Sequence, residues 1–532
     1  MFAPLATKRP ERRQISSFTE KTSPIGGWNA RDSLALMKDT DATFMDNWYC
    51  LPSEVRVRLG SAYHVTGIGS QVESLMVWQS GASQKMFAAA GTAFYDASSA
   101  GAVGASVQSG LSNARWQSVN YQLAGTTWLI AVNGADKPRY TSDGTTWVAV
   151  DGASVPAITG VTTTLLSNVT VHQRRLWFVE RATMKCWYLP VDAVGGAATM
   201  FDFGPLFHRG GFITAISTWT IDAGQGSDDK LVVMTSKGQV AVYAGTDPAS
   251  SSTWALIGIY DIGEPLGPAG TAFGARALTK YAGDLLIITK DGLVPCSKAL
   301  QSNRVSTRIA FTDKIQAAIS QATSDYATSF GWQCILYPPE NMLLLNVPVG
   351  TGAQEQYVMN TISGAWSRFT GWGANCWVLF NDELYFGGNG IVYQAWTGHT
   401  DQAGASTFNN IEAECQQAFS DFGSPGVEKQ WRMIRPTLRV DNSVAVSVAM
   451  NTGYNSDAVT SLLSVAASTA SVFDTALFDA SVFASDELYV VRPWQDVEGV
   501  SDVGGTRIKV ATNAADVRWV STNHVYERGA GI

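Results

Sequence analysis

Between about residues 70 and 400, apolar residues come in short runs of Val, Ile, Trp, Tyr and Phe, at 75–78, 85–90, 128–132, 231–235, 285–289 and 342–347, broken by Gly-containing turns. Runs of that length, rich in β-branched and aromatic residues and bounded by turn formers, predict strands. The exception is 311–329, where Ile315, Ala318, Ile319 and Ala322 fall on one helical face and predict a single helix. Beyond 400 the pattern changes. Val444, Val446, Val448 and Met450 alternate with polar or small residues, as a half-buried strand requires, and 507–512 and 517–520 read likewise. The stretch 411–422 has helix-like spacing and ends at the breaker Ser424-Pro425-Gly426.

Within the strand-rich stretch one unit recurs: a strand, a Gly turn, then a short strand carrying an aromatic or bulky residue. The turns sit at Gly91, Gly144, Gly238, Gly292 and Gly390, separated by 53, 94, 54 and 98 residues, or one and two repeats of about 50. The missing repeats fall near 190 and 341. A four-stranded sheet with its loops needs ~40–50 residues, so this period predicts an all-β fold with a β-propeller of about six blades. A pair of β-sandwiches is the alternative. The expected organisation is a basic arm over 1–27, a first part of a platform over 28–69, the propeller over 70–400, and a C-terminal β platform domain over 401–532. The platform is thus a second β-rich domain built from the N- and C-terminal segments. Phe473, Phe478 and Phe483 recur every five residues near 471–485. Three pentads are too few for a stacked solenoid and read as a looped aromatic anchor, or as a loop folded on its own domain.

Composition narrows the function. With 18 Trp, 17 Tyr and 22 Phe in 532 residues, and only 15% charged residues, the chain is neither disordered nor fibrous. Its net charge of −8 opposes sequence-specific binding to a polyanion. The six cysteines lie far apart, without a C-x-x-C pair, and read as buried small hydrophobes of a protein folded in a reducing cytosol. No apolar run predicts a signal peptide or a membrane span.

Chemical motifs are scarce. A G-x-S-x-G elbow, a P-loop, an H-E-x-x-H pair and an EF-hand string are missing, and no two of the five histidines stand at ligand spacing. No catalytic residue, cofactor or metal is expected. The run from Ser142 to Trp147 is close to the Asp-box hairpin of sialidase-like propellers but lacks one residue between Asp and Gly, so it reads as a structural turn. Lys8, Arg9, Arg12 and Arg13 form a basic arm suited to phosphates or an acidic partner.

The run PIGGWNARDSL from Pro24, Asp46-Asn47-Trp48, and VRVRLG from Val55 resemble the start of a family of tail proteins from short-tailed bacteriophages. The resemblance extends through VNGADKP from Val132, HQRRLWF from His172, FHRGG from Phe207, YAGTDP from Tyr243 and TKDGLV from Thr289 to YERG at Tyr526, spanning nearly the whole chain. The family is the podovirus tail hub or nozzle group, similar to tail tubular protein B.

The resemblance implies a virion tail protein, made in the host cytoplasm, with six copies in a ring around the tail axis. Such a homo-hexamer binds the head-to-tail adaptor, supports tail fibres or spikes, and passes double-stranded genomic DNA through its lumen without specific binding. Gly-rich loops at the propeller tips are the expected gate. An acidic or neutral bore suits sliding DNA, because each Lys or Arg that neutralises a phosphate adds affinity and friction. Trp28, Arg31, Asp32, Asp46, Trp48, Arg56 and Arg58 near the N-terminal motif, with Phe473, Phe478 and Phe483, are the expected assembly residues, with packing of the platform core the other role for the first group. The competing function is a glycan-binding or glycan-degrading tail-associated propeller.

Overall fold

In a computed structural model of the chain, the structure describes residues 16–529 apart from 221–228, 268–273, 300–309, 351, 405–406, 458, 460–461 and 466–487. Contacts divide the chain into two units, 58–411 and the combination of 1–57 with 412–532.

The unit 58–411 is a β-propeller. Near-continuous burial along strands such as Lys230–Thr235, Asp284–Thr289 and Met342–Gly350 shows both faces covered by neighbours, and the strands form seven antiparallel blades among the described residues. Blade 1 is Val72–Ser80, Ser83–Ala90 and Ala93–Asp96; blade 2 runs from Gln117–Leu123 to Val148–Ala149. Blade 3 begins with Leu166–His172, blade 4 with Ile213–Trp219, blade 5 with Leu278–Tyr281, blade 6 with Gln333–Tyr337 and blade 7 with Cys376–Phe380. Five blades have four strands, and blades 1 and 5 have three, against the about six blades expected. First strands of successive blades pack side by side, and Cys376–Phe380 of blade 7 packs on Val72–Ser80 of blade 1, which closes the ring.

Closure explains where this unit begins and ends. The fourth strand of blade 7 is Ser61–Thr66, which pairs antiparallel with Val392–Ala395, Tyr63 opposite Tyr393. Residues 58–69 and 401–411 therefore belong to the propeller, and not to the platform as their sequence position suggests. Between blades the core is aromatic. Trp177 and Tyr243 both stack on Trp254, at 5.8 and 5.4 Å between blades 3 and 4, while Phe87 and Phe94 meet Trp147 edge-on between blades 1 and 2. The expected helix is present as Gln316–Tyr326, burying Ile319 and Ala322.

The second unit is built from two sheets. One contains Lys429–Val440, Val517–Arg528, Ser16–Thr22, Trp48–Cys50, Val55–Val57 and the short strands between Tyr489 and Ser501. The other contains Gly27–Trp28, Asp41–Asp46, Ile411–Gln417, Gly504–Thr512, Val444–Thr452 and Leu462–Val465. His524 of the first meets Thr506 of the second at 2.8 Å, and Trp431, Trp519 and Tyr526 fill the space around them. The helix-like reading of 411–422 is wrong: Ile411, Ala413 and Cys415 alternate with Glu412 and Glu414, and 411–417 is a strand.

Candidate functional site

The N-terminal motif residues do not converge on one site. Trp28 is buried in the Gly27–Trp28 strand beside Asp41–Asp46, and Asp46 lies opposite Glu414 in the same sheet. Trp48 is fully buried, edge-on to Trp519 at 6.2 Å. Arg56 stands 3.8 Å from Asp516, in a network where Arg518 bridges Asp516 and Glu54, and Arg439 also pairs with Glu54. Arg58 belongs to the propeller. It is buried, pairs with Asp401 at 2.5 Å, donates to the Thr370 carbonyl and lies 4.5 Å over Trp372. Burial of Trp48 and Arg58 inside their own chain gives them core-packing roles.

Of that group Arg31 is exposed, and Asp32, Asp46 and Arg56 are half-buried. Asn29 accepts from the backbone N–H groups of both and donates to Asp32 and Asp41, while Arg31 pairs with Asp32 at 2.8 Å. That knot fixes the base of a loop whose tip exposes Leu36 at 80%. Phe473, Phe478 and Phe483 lie outside the described residues, as do Lys8, Arg9, Arg12 and Arg13.

A surface that the sequence reading missed lies on the first sheet of the same unit. Along Lys429–Val440, Trp431, Ile434 and Leu438 face inward. The opposite face should be polar if it met only water. That face carries Gln430, Arg435, Thr437 and Arg439, but Phe18, paired with Val525 on the neighbouring strand, is 72% exposed, and in and beside the short strands along the other edge of Lys429–Val440 the exposures of Val490, Val500 and Trp494 are 62%, 56% and 39%. Arg435 lies 4.4 Å over the Trp494 ring. Aromatic, Met and Arg side chains on one exposed face are the composition of interface centres. Phe18 sits in a polar run, Ser16-Ser17-Phe18-Thr19-Glu20, and that break in alternation is the signal that could have found it.

Inner strands of several blades line a cavity. A cavity of about 430 Å³ is lined by Trp116, Gln117, Arg276, Lys280 and Gln333, with Cys334 and Cys376 in its wall. Arg276 is buried there and donates to the Glu73 carbonyl, Ser74 Oγ and the Asn375 carbonyl. Its guanidinium and that of Arg115 both lie over Phe330, at 5.1 and 4.6 Å, and Arg115 pairs with Glu73 at 3.0 Å.

Burial holds several titratable groups in their neutral forms. Burial pushes the Cys334 thiol up to about 12 and Cys376 to about 11, far above the range of a thiolate nucleophile. Burial also lowers His172 to about 4 and His524 to about 3, keeping both neutral. All six cysteines are buried, and none is in a disulfide. In the run from Ser142, Asp143 Oδ1 accepts from the N–H groups of Thr145 and Thr146, which outweigh its desolvation and hold its carboxyl below the usual range. Gly144, at φ +66°, has no room for a Cβ beside Trp78, 2.8 Å away, and Trp147 packs between blades. This is a structural hairpin. Among the described residues no group of three or more His, Cys, Asp and Glu is placed to hold a metal, and no helix is long and apolar enough to cross a membrane.

No protein-family model matches the chain, and no curated protein matches it. Solved structures do. Sqt1 of Saccharomyces cerevisiae is 11% identical over 67% of this chain and 96% of its own, with a TM-score of 0.36. The β-propeller domain of Swd1 from Myceliophteria thermophila is 11% identical over 63% of this chain and 99% of its own, with a TM-score of 0.39. The likeness is one of β-propeller fold.

Proposed function

We propose that this chain is a structural subunit of a short-tailed phage tail, a nozzle or hub protein that acts by assembly and not by catalysis. The observation that carries the reading is the set of exposed apolar side chains on the first sheet, Phe18, Val490, Trp494 and Val500, in the unit that also holds the N-terminal motif residues 24–34. Monomeric proteins rarely leave such a face to water, and a second copy of the same chain is its occupant in a closed ring. The bore is enclosed between copies, with adaptor and fibres bound outside it. A net charge of −8 suits walls along which DNA slides. Electron microscopy of the purified chain, alone and with a tail adaptor, tests it: six copies around an axial hole are expected, and an isolated monomer in both samples overturns it. Particles lacking a propeller tip loop should leak genome if those loops form the gate.

A further inference from the structure

Two arginines on the first sheet of the smaller unit share a single neutral acceptor. The Asn523 side-chain oxygen accepts from Arg492 Nη2 at 2.7 Å and from Arg435 Nη2 at 3.0 Å. Neither guanidinium forms an ion pair among the described residues. The carboxylates around them are engaged elsewhere: Glu54 with Arg439 and Arg518, Asp516 with Arg518, and Glu527 with Arg432. Glu20, opposite Asn523 on the neighbouring strand, accepts from Ser521 Oγ at 2.6 Å. Like charges gathered on one amide oxygen repel, and a carboxylate between them relieves that repulsion while accepting charge-assisted hydrogen bonds.

The surroundings select a protein carboxylate over a nucleic acid. A phosphate chain needs a row of uncompensated cations, and here Glu54, Asp516 and Glu527 interrupt the row. Trp494, with Arg435 over its ring, and the exposed Val490 supply instead the apolar surround that keeps water from a charged contact between proteins.

The chain itself carries a complement on its other unit. Asn381 and Asp382 make the turn between Cys376–Phe380 and Glu383–Gly387 of blade 7, both at positive φ as a tight hairpin turn requires. Gln84 Oε1 accepts from the Asn381 N–H at 3.0 Å and fixes the turn. Asp382 and Glu383 are exposed, and neither carboxylate pairs with a base among the described residues. Burial, then the charges of Glu383, Glu340 and Asp382, push the Tyr337 hydroxyl up to about 12, so the three carboxylates gather at one corner.

We infer that Arg435 and Arg492 of one copy receive Asp382 and Glu383 of the next copy. The inference rests on the ring reading above and names the contact that builds it. Two different patches in contact form a heterologous interface, which is the kind that repeats around a closed ring of six.

Charge reversal tests it by sedimentation of the full chain. Arg435→Glu with Arg492→Glu, and separately Asp382→Lys with Glu383→Lys, should each keep the wild-type melting temperature and weaken assembly by about a hundred-fold or more. An equal mixture of the two variants should recover rings of alternating copies, because each reversed patch then meets its complement. If glutamate lowers the melting temperature, Arg435→Gln with Arg492→Gln gives the same reading without reversed charge. A wild-type ring that persists in either double variant, or a mixture that stays monomeric, overturns the contact and leaves the ring standing. Binding of duplex DNA that is lost with the two arginines also overturns it, and a monomeric wild type overturns both readings.

Discussion

The two units treat apolar side chains in opposite ways. The propeller, about two thirds of the chain, buries its aromatics between blades, and among the described residues exposes seven large hydrophobic side chains scattered over loops and edges. The smaller unit exposes eight, four of which lie on or beside one sheet face. Circular closure is the reason: each blade covers its neighbour, so a propeller satisfies itself, whereas a pair of sheets leaves two outer faces. In one chain, then, a body that covers its own sheet faces is joined to one that leaves apolar side chains exposed on a sheet.

The largest effect is expected where that self-sufficiency is cut. Asp401→Ala leaves Arg58 buried without its counterion and should cost about 3–5 kcal/mol, read as a lower denaturation midpoint. Replacing both by apolar residues of similar volume, Arg58→Met with Asp401→Leu, should recover most of it. If the single substitution is silent, the closure of blade 7 is not held as described.

Acid comes next. His524 in the smaller unit and His172 in the propeller are neutral when folded, because burial lowers both, to about 3 and about 4. The unfolded chain binds their protons from about pH 6.5 downward. Stability contributed by each histidine is therefore complete above about 6.5 and is lost as pH falls toward its folded value, at about 1.4 kcal/mol per pH unit. The loss should continue to lower pH for His524 than for His172. Thermal melts of His524→Gln and His172→Gln between pH 7 and 4 should each show a flatter pH dependence than the wild type.

The smallest effect on folding is expected at the exposed face. Phe18→Asp and Val490→Asp should shift stability by no more than about 0.5 kcal/mol, since neither side chain is packed in the chain itself. A larger loss would mean that the face is already covered within one molecule.

What could be read beforehand follows from how local each signal was. Gly91, Gly238, Gly292 and Gly390 all mark the turn between the second and third strands of a blade, each at positive φ, so four blades were visible as a period. Blade 3 makes the same turn at Ala182, with φ +59°, and no glycine announces it. Gly144 was counted with the others but turns between the third and fourth strands of blade 2, which put the spacing out of step. Glu and Ala content hid the period of two in 411–417. Arg58 stood in a quoted motif, yet its partner Asp401 is 343 residues away, and no local pattern encodes that pairing.

Sedimentation of three forms of the full chain tests the division of labour most directly. The wild type and Ile362→Asp, which alters an exposed propeller position, should both sediment as a ring of six, while Phe18→Asp with Val490→Asp should sediment as a folded monomer. A monomeric wild type, or a ring lost through Ile362→Asp and kept in the double variant, would contradict the account.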